Sequence, residues 1–155
     1  MQHAILEAMA HELAIDQSVE FLGQVADPFP LLLQSDVFVL PSKSEGISNA
    51  LLEAMMLGLP CVVTNIAGNG DVISHKENGL LVSPNNEDDL SAALVQLGTS
   101  QVLREKLGRA ARLTVEKKYA LDSVANQYMT LYADLLDLDV NSEFPRICVS
   151  RSSLS

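Results

Sequence analysis

Short apolar runs alternate along the chain with segments in which apolar residues recur at helical spacing. The runs cover residues 19–22, 37–40, 61–64 and 79–82. The helical segments cover residues 4–15, 28–34, 49–57, 86–97, 100–118 and 121–138. A short run that is almost wholly apolar is typical of a strand covered on both faces. The alternation therefore predicts an α/β fold, a Rossmann-like parallel sheet with helices on both faces.

Three local patterns refine this prediction. In the first helical segment, Ala4, Ile5, Ala8, Met9 and Ile15 fall on one face, which predicts an amphipathic helix. The glycine-rich residues 67–71 predict a turn, followed by a short segment over 72–74. Residues 139–155 are serine-rich and show no period, so we expect a disordered tail there.

Composition and charge narrow the class of protein. The chain has 155 residues, of which 48% are hydrophobic and 19% are charged, as in ordinary globular proteins. The formal net charge is -10, and Lys43 and Lys76 are the only Lys or Arg residues before Arg104. Because a protein that binds nucleic acid needs a basic face, we expect no nucleic-acid partner.

The cysteines and the first residues of the chain indicate the cellular compartment of the protein. Cys61 lies in an apolar run and Cys148 near the C-terminus, which matches neither a metal site nor a disulfide framework. The first residues lack the basic start of a secretory signal. No stretch reaches the roughly 18 apolar residues of a membrane-spanning helix. We therefore expect a reduced, cytoplasmic protein.

The segment 49–57 predicts a helix with one carboxylate among apolar residues. From Ala50 to Leu57 every residue except Glu53 is apolar, so we expect this helix to be buried nearly all round. Glu53 would then be a buried charge with no cation among its helical neighbours, and such a charge needs a partner. Two kinds of partner remain open here: ligand hydroxyls, or backbone groups with a distant arginine.

The loop before this helix offers a second carboxylate and a geometry that suits anions. Residues 44–48 leave the carboxyl end of the run 37–40 and enter the helix. Ligands bind at this edge of parallel sheets, and the free N–H groups of a helix start favour phosphate. Gly46 permits a ligand to approach the backbone closely. Taken alone, Glu45 also fits an exposed loop acid.

Glu45 and Glu53 are separated by seven residues, in the sequence Glu-Gly-Ile-Ser-Asn-Ala-Leu-Leu-Glu. This motif resembles the Glu-x7-Glu signature of glycosyltransferase family 4, the retaining, nucleotide-sugar-dependent enzymes of the GT-B fold. The segments 19–23, 26–27, 35–42, 58–64 and 78–82 also resemble the donor-binding lobe of that family, and they occur in its order. The resemblance assigns residues 1–138 to an incomplete donor-binding lobe.

By this resemblance, the chain binds a nucleotide-diphosphate sugar as donor substrate, with no cofactor and no metal ion. Glu45 is the catalytic candidate, which would hold hydroxyls of the donor sugar, and Glu53 would accept hydrogen bonds from the ribose hydroxyls. The other expected contacts are the backbone N–H groups of Gly46, Ile47 and Ser48, which face the sugar and diphosphate, and Gly23, Gln24 and Val25, which lie near the base.

Departures from the family pattern lead us to expect part of a larger enzyme. Asp71 stands where the family usually has Glu. The family's donor lobe begins earlier, with a strand, a phosphate-binding Arg/Lys pair and a helix, and its acceptor-binding lobe is absent here. Three interpretations stay open: a fragment of a glycosyltransferase of glycan or polysaccharide biosynthesis, a donor-binding subunit that needs a partner chain, or a remnant without catalysis. Whether the isolated chain is an enzyme stays open with them.

Other motifs point to weaker possibilities. The sequence Asp137-Leu138-Asp139 matches the Asp-x-Asp metal motif, but it ends a helix rather than a strand, so we predict no metal site. The basic residues of segment 100–118 fit either a solvated face, which we favour, or contact with anionic lipid at the inner membrane face. Lys43 fits either an exposed loop lysine, which we favour, or a phosphate contact.

Overall fold

The computed structural model describes residues 2–119 of the chain. The helix predicted over 121–138, the tail over 139–155 and the Asp-x-Asp motif at 137–139 lie outside the described residues. The chain divides after Ser35 into two compact units.

The first unit is built from helices and irregular backbone. Helix α1 spans Gln2–Glu12, a 3-10 turn spans Asp16–Ser18 and helix α2 spans Phe29–Leu33. The carboxylate of Asp27 accepts a hydrogen bond of 3.0 Å from the backbone N–H of Phe29, and this bond satisfies a free donor of the helix start. The prediction of a helix over 28–34 is confirmed.

The helix predicted over 4–15 is confirmed as α1, which ends at Glu12. Its apolar face is exposed, since Ile5 is 55% and Met9 is 50% exposed, and a unit that ends at Ser35 is too small to cover such a face. The prediction of a strand over the run 19–22 is wrong, because these residues form no strand. No strand of the described residues pairs with it, and an unpaired strand leaves its backbone groups without partners.

The described part of the second unit contains a parallel sheet of three strands. Strands β1, β2 and β3 span Phe38–Leu40, Cys61–Thr64 and Leu80–Val82, and they lie in the order β1-β2-β3. The register pairs Leu40 with Val63 and Thr64 with Val82. The carboxyl ends of all three strands therefore lie at one edge of the sheet, as the alternation of runs and helices predicted.

Burial shows that the central strand is covered on both faces. All four residues of β2 are buried, although successive side chains of a strand point to opposite faces. Strand β1 is half-buried rather than fully buried as predicted, because the core cluster is built from β2, β3 and the helices beyond them, with Val62, Leu80 and Leu107 among its members. Burial also raises the pKa of the Cys61 thiol to about 12, so this cysteine acts as a small core residue.

Four helices complete the second unit as far as residue 119: α3 over Asn49–Met56, α4 over Asn69–Val72, α5 over Glu87–Thr99 and α6 over Gln101–Lys118. The side chains of Asn86 and Ser100 cap α5 and α6, which confirms both predicted starts. The turn predicted over 67–71 forms at residues 67–68, and helix α4 then begins at Asn69 and includes Val72 of the segment predicted over 72–74. The side-chain amide of Asn69 donates to the Thr64 carbonyl at 3.0 Å, which fixes the start of this helical turn beside β2.

Candidate functional site

The candidate site is built by the loops that follow β1 and β2. Residues 41–48 connect β1 to α3, and residues 65–68 connect β2 to α4. Because β1 and β2 are parallel and adjacent, both loops begin at the carboxyl edge of the sheet. Ligand sites of α/β proteins form at this edge, so the fold places the predicted loop where such a site is expected.

Glu45 is half-buried and held by a neighbouring hydroxyl. The Oγ of Ser42 donates a hydrogen bond of 3.1 Å to Oε1 of Glu45. The backbone carbonyl of Ser42 in turn accepts a bond of 2.5 Å from Oγ1 of Thr64, at the end of β2. The carboxylate therefore has a defined position, in contrast to the freely exposed loop acid that we considered as an alternative.

The next three residues form the entry to α3. Gly46 and Ile47 are exposed, and Ser48 is half-buried. Ser48 is the N-cap residue, with extended backbone at φ -77° and ψ 123°, and its side chain makes no capping hydrogen bond. A helix start without a side-chain cap presents N–H groups and the positive end of the helix dipole to a ligand.

The two loops touch through their backbones. Gly68 has φ +83°, and a Cβ atom at this position would overlap the carbonyl group of Gly46 and lie 2.9 Å from the carbonyl oxygen of Glu45. A glycine is therefore required at Gly68 both by its backbone conformation and by the close approach of the neighbouring loop. The loop that carries Glu45 rests directly on the turn after β2.

Glu53 corrects the expectation of a buried charge. Helix α3 buries Leu51, Ala54 and Met55, whereas Glu53 is exposed. The helix packs on the sheet and on α6 with one stripe only, so its apolar sequence does not cover the acid. Glu53 therefore needs no partner on grounds of burial, and its expected role as a ribose ligand rests on the motif alone.

The residues expected near the base lie in the other unit. Gly23, Gln24 and Val25 are exposed and follow the run 19–22. Gly23 has φ +65°, a conformation that favours glycine, so the chain turns sharply there. The second unit brings Glu45, Gly46, Ile47 and Ser48 together at one loop and helix start.

A cavity of about 150 Å³ lies beside this loop, at the carboxyl ends of all three strands. Its lining includes Ser42, Lys43, Thr64, Ser83 and Asn86, and none of the predicted donor-binding residues. Lys43 is exposed, which agrees with the exposed loop lysine that we favoured over a phosphate contact. Asp71 is exposed on α4.

The residues that hold the loops in place were not predicted from the sequence. Ser42, Thr64 and Asn69 connect the loop after β1 to the end of β2 and the start of α4. The sequence did contain one signal. Thr64 is a polar residue at the end of an apolar run, and Asn69 is a polar residue within the glycine-rich turn. Thr64 is 5% and Asn69 0% exposed, and the hydroxyl of Thr64 and the side-chain N–H of Asn69 each donate a hydrogen bond to a backbone carbonyl.

No three His, Cys, Asp or Glu side chains within residues 2–119 are arranged to hold a metal ion. None of the described helices is long and apolar enough to cross a membrane.

Comparison with known proteins identifies the family. A family model described as glycosyl transferases group 1 matches residues 1–100. The chain is 32% identical over 135 residues to N-acetyl-alpha-D-glucosaminyl L-malate synthase of Bacillus anthracis. It is also 32% identical over 125 residues to UDP-Gal:alpha-D-GlcNAc-diphosphoundecaprenol alpha-1,3-galactosyltransferase of Escherichia coli. These matches cover 87% and 81% of this chain but 35% and 32% of the relatives, so the chain spans about a third of their length.

A solved structure supports the same assignment. The C-terminal domain of the group 1 glycosyl transferase LpcC from Francisella tularensis matches with a TM-score of 0.70 and 27% identity. The match covers 77% of this chain and 63% of that chain. The parallel sheet and its helices are therefore those of a GT-B C-terminal lobe, as the sequence resemblance implied. With a family model that matches well over half of its residues, the chain belongs to the group 1 glycosyl transferases.

Proposed function

We propose that this chain is a donor-binding lobe that holds a nucleotide-diphosphate sugar for transfer of the glycosyl group with retention of configuration. The observation that supports it most is the loop 41–48, which places the held carboxylate of Glu45 and the exposed backbone of Gly46 beside the start of α3. This arrangement combines an acceptor for sugar hydroxyls with N–H donors for phosphate at the edge where α/β proteins bind ligands.

Each residue has a role in this proposal. Glu45 accepts hydrogen bonds from donor-sugar hydroxyls, and the backbone N–H groups of residues 46–48 face the sugar and the diphosphate. Glu53 accepts hydrogen bonds from the two ribose hydroxyls, for which its exposed carboxylate is accessible. Residues 23–25 lie near the base. Only motif similarity supports the roles of Glu53 and of residues 23–25.

The chemistry of such a site is orientation and charge stabilisation. A nucleotide sugar reacts when the bond to the diphosphate breaks, and the departing diphosphate then gains negative charge. The start of α3 offers N–H groups and a positive dipole end, which stabilise that charge. Hydrogen bonds from the sugar to Glu45 orient the anomeric carbon toward the acceptor. We assign no general base, no nucleophile and no metal or other cofactor to this chain.

Transfer also requires an acceptor-binding lobe. The chain spans about a third of the length of its curated relatives, so we propose that this lobe belongs to the same protein or to a partner chain. The E. coli relative is named for UDP-galactose as its donor, which makes UDP-sugars the first probes to use. A cytoplasmic location belongs to the proposal and is supported by the free thiol of Cys61. Contact of helix α6 with anionic lipid is the alternative that we do not favour, since Arg104 donates to the Leu97 carbonyl and Arg112 pairs with Glu116.

The experiment is a calorimetric titration of the chain with UDP-glucose, UDP-galactose, UDP-N-acetylglucosamine, GDP-mannose and ADP-glucose. We expect one of these probes to bind. We expect Glu53→Ala to lower the affinity for that probe by about tenfold or more, because hydrogen bonds to charged groups are stronger than those between neutral groups. The matched control is Glu77→Gln, which removes one exposed charge before β3, at the opposite edge of the sheet. Equal heats in the wild-type chain and Glu53→Ala would reject Glu53 as a ligand, and no binding of any probe would reject the proposal.

A further inference from the structure

The loop that carries Glu45 is connected to the neighbouring strand by a series of hydrogen bonds. The side chain of Asn69 donates to the Thr64 carbonyl, the Thr64 hydroxyl donates to the Ser42 carbonyl, and the Ser42 hydroxyl donates to the Glu45 carboxylate. Thr64 and Asn69 are buried, whereas Ser42 and Glu45 are half-buried. The series therefore leads from the core of the sheet to a carboxylate at the surface.

The two bonds at Ser42 act on different parts of the loop. The bond from Thr64 fixes the backbone of Ser42 across two strands, between residues 22 positions apart in the sequence. The bond from Ser42 then fixes Oε1 of Glu45, three residues further along the loop. Since a carboxylate accepts hydrogen bonds at both oxygens, Oε2 can still accept from a ligand hydroxyl. One oxygen positions the group and the other is available for binding.

We infer that Ser42 and Thr64 are positioning residues, which hold the Glu45 carboxylate in the orientation that binds a hydroxyl of the donor sugar. The inference rests on the proposed role of Glu45. Neither residue touches the donor in this account; Ser42 acts through Glu45, and Thr64 acts through Ser42. Binding groups held by a second set of residues lose less conformational freedom when the ligand binds, so their hydrogen bonds contribute more affinity.

If these residues position Glu45, their removal lowers the affinity for the nucleotide sugar more than the affinity for the nucleoside diphosphate. The probes are the tightest-binding nucleotide sugar of the panel and the corresponding nucleoside diphosphate, for example UDP-glucose and UDP. We expect Ser42→Ala to weaken binding of the nucleotide sugar about tenfold and to change binding of the diphosphate less than about twofold. A disturbance of the fold as a whole would weaken both probes alike.

Three further variants complete the test. Ser91→Ala removes a hydroxyl from an exposed serine of α5, away from the loop 41–48, and should bind both probes like the wild type. Ser42→Thr keeps the hydroxyl and should restore most of the affinity for the sugar. Thr64→Val keeps the shape of the side chain without its hydroxyl. Like Ser42→Ala, it should lower the affinity for the nucleotide sugar.

The decisive step is the double variant. If Ser42 acts through Glu45, adding Ser42→Ala to Glu45→Ala, which removes the acceptor of the Ser42 hydroxyl, causes no further loss of affinity for the sugar. Additive losses, equal losses for both probes, or a Ser42→Ala variant that binds like Ser91→Ala would overturn the inference. Failure of the proposed function has a different signature, since the wild-type chain then binds no probe or Glu45→Ala leaves binding of the nucleotide sugar unchanged.

Discussion

Single residues at the contact between the two loops are sensitive to small changes. Gly68 has a positive φ, and the backbone of the neighbouring loop occupies the place where its Cβ would be. Gly46, on the other side of this contact, has no heavy atom within 4 Å of the place where a Cβ would be. Two glycines that face each other in space therefore differ in what they tolerate.

We expect Gly68→Ala to lower the free energy of unfolding by about 1–3 kcal/mol, because the new methyl group would force the loops apart and strain the backbone. Gly46→Ala is the matched control and should change the free energy of unfolding by less than about 0.5 kcal/mol. Urea denaturation measures both. Equal stability of the two variants would show that the loops do not approach each other as described.

Asp89 gives the stability of the chain a dependence on pH. The side chain and the backbone N–H of Ser83 donate hydrogen bonds to this carboxylate and lower its pKa below the ordinary 3.8. A carboxyl group with a lower pKa in the folded state adds stability above its unfolded pKa, and this contribution is lost as the pH falls through the folded pKa.

We therefore expect Asp89→Asn to make the unfolding free energy less dependent on pH below about 4, where the wild type loses this contribution. Urea denaturation between about pH 2.5 and pH 7 measures the profile. The matched control is Asp88→Asn, which removes a charge from the same turn of α5. An Asp89→Asn profile that falls as steeply as the wild-type profile would contradict the assignment.

Among the described helices, α6 packs closely against the end of α3. A Cβ atom at Gly108 of α6 would overlap the carbonyl group of Gly58, which follows α3 with φ +77°. Gly98 near the end of α5 is exposed, and a Cβ there would meet nothing within 4 Å. The same substitution should therefore have opposite effects in two consecutive helices.

We expect Gly108→Ala to lower the free energy of unfolding by about 1–3 kcal/mol, since the two helices must move apart. Gly98→Ala should raise it by up to about 0.5 kcal/mol, because alanine favours the helix more than glycine does. Thermal and urea unfolding of both variants measures the difference. Gly108→Ala with wild-type stability would contradict the close packing of α6 on α3.

The elements also show where sequence patterns succeed. Strand β2 and the helices α3, α5 and α6 were predicted because their apolar periods and their caps at Asn86 and Ser100 are local. The exposure of Glu53 was not predictable, because an apolar sequence does not say how many of its faces find a neighbour. The run 19–22 has the composition of a strand, but a strand also needs a partner for its backbone groups.

For the molecule as a whole, the candidate site could be predicted in part. The loop 44–48 follows a strand and precedes a helix, so its position at the carboxyl edge of the sheet follows from the order of the elements. The bond between Ser42 and Thr64 joins residues 22 positions apart, and it exists only because β1 pairs with β2. Contacts of this kind depend on register, which short apolar runs do not specify.

The central claim is that the loop 41–48 and the start of α3 bind a nucleotide-diphosphate sugar. The most direct measurement is a titration of the ¹⁵N-labelled chain with the tightest-binding nucleotide sugar, followed by amide chemical shifts. We predict that the largest saturable shifts fall on Gly46, Ile47 and Ser48, with smaller shifts at the control turn around Glu77. Saturable shifts confined to other parts of the chain, or no shifts at all, would contradict the account.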